Sequence, residues 1–158
     1  MDHMSPESFV GIVGHAGDKF TPETEARARV TIRGILGRNE GTVLVSGGCH
    51  LGGIDIFAEE EADRLGLDKR IFVPKTRRWD GGYKQRNLLI ASTSTEAHCV
   101  VVADYPDGYS LPRYGAKKDG SPYCYHCGDA RPTHVKSGGC WTVKRAEAAG
   151  TPAHWHII

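Results

Sequence analysis

Apolar residues fall in five short continuous runs, Phe9–Val13, Thr42–Ser46, Arg70–Val73, Cys99–Ala103 and Ala153–Ile158. Runs that are continuous rather than alternating fit strands buried on both faces of a parallel sheet. Helical patterns lie between them. Thr21-Pro22-Glu23 reads as a helix start, with Thr21 as N-cap, Pro22 at the first helical position and acids in the first turn. That helix is expected to carry Ala26, Val30 and Leu36 towards a core and to end at Leu36 or Gly37. A second helix covers Ile54–Leu65, with Gly66 as its stop. A third covers Tyr83–Thr93, and a fourth covers Trp141–Ala149 and is ended by Gly150.

Strands alternating with helices in this order imply βαβ units. The expected fold class is α/β, an open five-stranded parallel sheet with helices on both faces, in a single domain over 1–158. One region breaks the rhythm. Tyr105–Lys136, rich in Gly, Pro, Lys and Asp, is an irregular insert ahead of the last helix, and a loop of that length is functional or carries structure of its own.

The chain has 158 residues, the length of one domain. No apolar stretch approaches the roughly 20 residues that span a bilayer. Met1 to Phe9 is polar and lacks an apolar signal core, so a cytoplasmic location without a membrane partner is expected. Twenty basic and 19 acidic side chains give a net charge of +1. That balance argues against a dedicated duplex-DNA binder. Lys75, Arg77, Arg78, Lys84 and Arg86 form the one dense basic cluster.

Glycine is the compositional outlier, at 20 of 158 residues, well above the usual proportion of about 7%. Three glycine loops fall at ends of the expected elements: Gly14-His15-Ala16-Gly17 after the first strand, Ser46 to Asp55 after the second, and Ser137-Gly138-Gly139-Cys140-Trp141-Thr142 before the last helix. Ligands of open α/β sheets bind beyond the carboxyl ends of the strands. Glycine lets backbone approach an anion, and a helix N-terminus supplies unpaired N–H groups. One such loop is an ordinary tight turn; three at one sheet edge favour a phosphate-bearing ligand. The dinucleotide fingerprint and the Walker A pattern are both absent, which disfavours an NAD-type dehydrogenase and ATP hydrolysis of that kind.

Ser46-Gly47-Gly48 with Gly52-Gly53-Ile54-Asp55 and Ala58 resembles the "GG…G-[IV]-D…A" signature of the SLOG superfamily, the DprA/LOG-like group. Gln85-Arg86-Asn87-Leu88-Leu89-Ile90-Ala91 is similar to the "RN…IA" helix of its DprA-like and YspA-like branches, the latter being closest. Ser137 to Thr142 sits where that group has its second glycine loop. The resemblance covers the chain apart from the insert. It implies a Rossmann-like nucleotide-binding domain, with Gly14, His15, Gly47, Gly48, Gly53, Asp55, Arg86, Asn87, Gly138, Gly139 and Thr142 as ligand-binding candidates. Asp55 would meet a ribose or a cation, although a first-turn Asp also suits a helix dipole by itself. Arg86 suits bidentate phosphate contact, and Asn87 can read a base or fix a loop. Trp79 stacks a base or serves as a packing lid. His50 joins His15 in the loops, whereas His98, His154 and His156 read as structural.

The LOG enzymes of the group use an Arg and a Glu, the Glu lying just after the second glycine loop. On this chain that position is Arg145, and the nearest acid, Glu147, lies about 200° further around the helix. Asp18, Asp55 and Asp104 are substitutes that nothing in the sequence singles out. Binding without turnover is therefore expected. The alternatives are a nucleotide N-glycosidase or deoxyribosyltransferase-type enzyme, and a single-stranded nucleic-acid binder, which the near-neutral charge does not favour. The expected partner is a nucleotide-type small molecule, with a homo-oligomer left open.

The insert carries its own chemistry. Cys124 and Cys127, then His134 and Cys140, are spaced C-x2-C-x6-H-x5-C. Such a knuckle lets two thiolates hold one tetrahedral ion, and a His with a third Cys closes a Cys3His zinc site. Five cysteines without a secretion signal speak against a disulfide framework. Cys140 lies inside the glycine loop, so His126 is an alternative to it or to His134.

Overall fold

The computed structural model describes residues 8–108, 115–116, 122–124, 126–131 and 134–158. The elements in chain order are β1 (Ser8–Gly14), α1 (Pro22–Leu36), β2 (Thr42–Ser46), α2 (Ile54–Arg64), β3 (Asp68–Ile71), α3 (Lys84–Thr93), β4 (Glu96–Val101), β5 (Gly115–Ala116), β6 (Pro122–Tyr123), α4 (Cys140–Ala148) and β7 (Ala153–Ile157). Five strands form one open sheet in the order β3-β2-β1-β4-β7. Every pairing in it is parallel, so the fold is the α/β, Rossmann-like arrangement expected from the alternating pattern. β5 and β6 make a short antiparallel pair within the insert. The remainder of that insert over 109–114, 117–121, 125 and 132–133 lies outside the described residues.

The continuous apolar runs have the expected cause. Val10 and Ile12 of β1, Leu44 of β2 and Val100 of β4 join α1 and α2 in one core layer. Val13, Val45, Cys99 and Val101 join α3 and α4 in the other. Alternate residues of the same strand thus enter opposite apolar layers.

α1 begins where its sequence places it. Thr24 N–H donates to Thr21 Oγ1 at 3.1 Å, and Thr21 N–H donates to Thr24 Oγ1 at 2.8 Å. This reciprocal cap turns Thr24 inward, and the buried face becomes Thr24, Ala28, Ile32, Ile35 and Leu36. Ala26 and Val30 are exposed, contrary to expectation, because they sit half a turn away from that face. α1 is clamped to α2 by Glu61, which has no exposed surface and meets Arg29, Arg33 and Arg64 at 2.9, 3.1 and 2.6 Å.

Three further boundaries move. β3 occupies Asp68–Ile71 rather than Arg70–Val73; it is an edge strand, so its side chains need not be apolar. β4 starts at Glu96, three residues before the apolar run, because the polar Glu96 and His98 are accommodated by side-chain partners, Arg38 for both and His156 for His98. α4 starts at Cys140, one residue earlier than expected.

Candidate functional site

In the order β3-β2-β1-β4-β7 the chain leaves β1 for one side of the sheet and returns to its other side as β4. The crevice at the carboxyl ends of β1 and β4 is therefore the topological switch point, where open α/β sheets place their ligands. A cleft of about 800 Å³ lies there, within the range of roughly 300–1,000 Å³ usual for small-molecule sites.

All three glycine loops reach it. Gly14, Gly48, Gly138 and Gly139 line the cleft together with His15, Asp55, Arg86, Asn87 and Thr142. Gly47 and Gly53 are buried behind the wall and support it. Gly53 has φ +81°, and a Cβ there would overlap the backbone of His15 and Ala16; Ile54 N–H then donates to His15 O at 3.0 Å, tying the first loop to the second. A Cβ on Gly47 would collide with the Arg86 guanidinium and stand 2.9 Å from Asp55 Oδ2. These two glycines let charged side chains and backbone close on one another.

His15 spans the crevice. Its Nδ1 accepts the Val102 N–H at 3.1 Å, so the ring proton sits on Nε2, which donates to Lys136 O at 2.8 Å. Tyr105 Oη lies 3.1 Å from the same nitrogen. Burial lowers the His15 pKa to about 4, and the ring stays neutral. It joins the ends of β1 and β4 to the loop that precedes α4.

Arg86 reaches across from α3. Its Nη1 donates to Gly47 O at 2.5 Å, and its Nε donates to Asn87 Oδ1 at 2.7 Å. Asp55 is buried, and burial pushes its pKa up to about 6 against the opposing pull of the Arg86 guanidinium and the Cys49 amide. Cys49 N–H donates to its Oδ2 at 3.2 Å. Five cationic side chains line the cleft, Lys19, Lys75, Arg77, Arg86 and Lys136, against one carboxylate, Asp55. Trp79 lies on the lining and packs edge-to-face on Trp141, ring centroids 4.9 Å apart. Trp79 is thus packed against Trp141 and half exposed at once. Glu147 is exposed at the far end of α4 and is not among the lining residues.

Beside the cleft, Cys124, Cys127, His134 and Cys140 bring one ligand atom each to within 4.8 Å of all the others. Two thiolates bound to one tetrahedral ion at about 2.3 Å stand about 3.8 Å apart; Cys124 Sγ and Cys140 Sγ are 3.9 Å apart. Cys127 Sγ is 3.3 Å from His134 Nε2. The four residues could hold a metal ion. The knuckle is closed by Gly128 N–H donating to Cys124 O at 2.7 Å and Cys124 N–H donating to Asp129 O at 2.8 Å. Asp129 Oδ2 stands 3.6 Å from His134 Nδ1, the outer partner that metal-bound imidazoles usually have. The Arg131 guanidinium holds the Asp129 carboxyl well below the usual range. His126 lies on the cleft lining instead, outside the group of four.

Lys19, Lys136, Tyr83 and Tyr105 are lining residues that the sequence does not single out. Lone lysines and tyrosines carry no spacing signal; only the folding of the chain brings them to the crevice. Comparison with family models, with curated proteins and with solved structures finds no match. No helix among the described residues is long and apolar enough to cross a membrane.

Proposed function

We propose that this chain binds a nucleotide or nucleotide-derived ligand in the switch-point cleft. One observation carries the reading: three glycine loops and five cations converge on a single crevice that holds one acid. Backbone N–H groups and guanidinium or ammonium groups are what a phosphate chain requires. The N-terminus of α4 follows Gly138-Gly139 directly and has no side-chain cap, so its orphan N–H groups suit a phosphate. Trp79 and Tyr83 offer aromatic faces for a base at the rim. The glycine motifs' likeness to the SLOG superfamily supports the same reading.

Calorimetry of the full chain against nucleosides and their mono- and diphosphates tests it. The expected order is diphosphate tighter than monophosphate, with the nucleosides weakest, and affinity falling as salt rises. Absence of binding by every phosphate at millimolar concentration overturns it.

A second reading is cleavage of an N-glycosidic bond. It rests on Asp55, the one acid on the lining, with a carboxyl pushed up to about 6 by burial, near the value that suits a proton-transfer group. Chromatography of nucleoside monophosphates after incubation with the protein separates the two, since binding alone releases no base.

The Cys124, Cys127, His134 and Cys140 cluster is proposed to hold zinc. A closed set of three thiolates and one imidazole without an open position matches structural zinc sites. Native mass spectrometry should show one zinc per chain, and a metal-free mass in protein prepared without chelator contradicts it.

A further inference from the structure

Outside the cleft lining, four polar side chains gather on one face of two neighbouring strands. β4 and β7 pair in parallel with His98 opposite His154 and Val100 opposite His156. Residues two apart on a strand share a face. Glu96 and His98 of β4 therefore stand beside His154 and His156 of β7, on the side where Val100 enters the α1–α2 core. β7 is the edge strand, and His154 is exposed while His98 is buried. The edge position of β7 explains why polar residues are tolerated on that strand. It does not explain why three of them are imidazoles stacked in register, with His98 lying 4.8 Å from His154 and 5.1 Å from His156, ring planes near parallel.

The Arg38 contact favours one ring tautomer of His98. Arg38 Nη2 lies 3.3 Å from His98 Nε2, and a guanidinium only donates. His98 Nε2 therefore presents its lone pair outward. The ring proton sits on Nδ1 and is donated to His156 Nε2 at 2.9 Å. This is the arrangement of a ligating imidazole: one nitrogen turned to a cation, here Arg38, and the other N–H held by an outer partner. Glu96 Oε1 is 3.3 Å from the same nitrogen, His98 Nε2. One ligand atom each from Glu96, His98 and His154 lies within 4.8 Å of the other two. Arg38 Nη2 also donates to Glu96 Oε1, at 2.9 Å, so its guanidinium is a resident cation between the carboxylate and the imidazole.

We infer that Glu96, His98 and His154 form a second site for a divalent transition metal, with His156 as the positioning residue behind His98 and Arg38 as the competing internal cation. Two imidazoles and a carboxylate suit Zn²⁺, Co²⁺ or Ni²⁺ and leave positions for solvent. Arg38 is half exposed, so it can swing into water when the ion enters. The ligands come from β4 and β7 only, and the site is independent of the cysteine cluster.

The test is a Zn²⁺ titration of tag-free full-length protein already carrying one equivalent of zinc. A second one-equivalent isotherm is expected. His154→Ala, an exposed position whose loss leaves the fold standing, should weaken that isotherm at least tenfold and leave the first equivalent in place. Arg38→Ala should tighten it several-fold, because the rival cation is gone. No second isotherm, a second isotherm that His154→Ala leaves as it was, or a weakening by Arg38→Ala overturns the inference. If the protein carries no first equivalent, the zinc assignment of the cysteine cluster fails on its own. The response to His154→Ala and Arg38→Ala still decides this site.

Discussion

Cys140 Sγ stands 3.9 Å from Cys124 Sγ, and Cys140 is also the first residue of α4. The two residues before it, Gly138 and Gly139, line the cleft. One side chain thus belongs to the Cys/His cluster while its backbone opens the helix that faces the cleft. The insert and the cleft share a covalent hinge of two residues.

Metal removal should therefore be felt in both places. Binding free energy at a site with no unfolded counterpart is folding free energy. Chelation is expected to lower the melting temperature by on the order of 10 °C, for a loss of about 3 kcal/mol in a domain of this size. Nucleotide affinity should fall with it, since the Gly138–Gly139 loop loses its anchor. Scanning calorimetry and nucleotide titration before and after chelation check this. A fall in melting temperature with unchanged affinity means that the loop is held by His15 and the sheet alone.

The choice of glycine decides what a cleft mutation reports. Gly48 has φ +57°, and a Cβ there would stand 2.8 Å from Ile71 Cγ2; any substitution strains the backbone before it touches a ligand. Gly138 is exposed on the lining, and an added Cβ meets only Gly14 O, at 3.8 Å. Gly138→Val should therefore reduce nucleotide affinity at least tenfold with the melting temperature within about 2 °C of wild type, a shift of under 1 kcal/mol. Gly48→Val should lower both. Calorimetry and thermal melts on the two variants separate site from scaffold.

Glu61 is the one carboxylate among the described residues with three guanidiniums around it and no exposed surface. Removing a buried partner strands the others' charge and costs about 3–5 kcal/mol. Arg33 and Arg64 are partly exposed and can turn to water, so Glu61→Ala is expected at the lower end of that range. Arg64→Ala removes an exposed arm only and should cost about 1 kcal/mol or less. Urea unfolding of both variants tests the ordering.

The sequence carried the sheet because burial on both faces leaves a local mark. Phe9–Val13 and Thr42–Ser46 are unbroken apolar runs and match β1 and β2 within two residues. It carried the gathering of the Cys/His cluster because Cys124 and Cys127 form a local turn and His134 and Cys140 follow on its return limb. It carried most of the cleft through glycines, which mark close backbone approach wherever they cluster. What it hid depends on register and phase. The inward face of α1 follows from the Thr21–Thr24 cap rather than from the apolar residue Val30. The start of β4 was masked by Glu96 and His98, whose polar groups are met by Arg38 and His156 across the fold. His98, His154 and His156 read as separate structural histidines; only the parallel pairing of β4 with β7 stacks them. Lys19 and Lys136 reach the cleft from loops far apart in the chain.

Two groups in the cleft oppose each other in their response to acid. His15 has its pKa lowered to about 4 by burial. The unfolded chain binds its proton more readily, so the stability it confers is whole above about 6.5 and is lost as pH falls towards 4. His98, lowered to about 4 by burial, acts in the same direction. Asp55 is raised from 3.8 to about 6, with burial as the largest cause. Here the folded state binds the proton more readily. The carboxyl is neutral and unpenalised below about 4, and its burial penalty grows as pH rises through 6. Over that window Asp55 therefore cancels roughly the contribution of one histidine. Asp55→Asn removes the opposing carboxyl while its side-chain oxygen still accepts the Cys49 amide. The variant should be more stable than wild type at pH 7. Its stability should also fall more steeply between pH 6 and 4.5, by up to one proton, or about 1.4 kcal/mol per pH unit. Urea unfolding at half-unit intervals, compared as a difference between variant and wild type, removes the shared effect of acid on the rest of the molecule. Equal slopes in the two proteins would mean that the Asp55 carboxyl is ionised and solvated across the whole window.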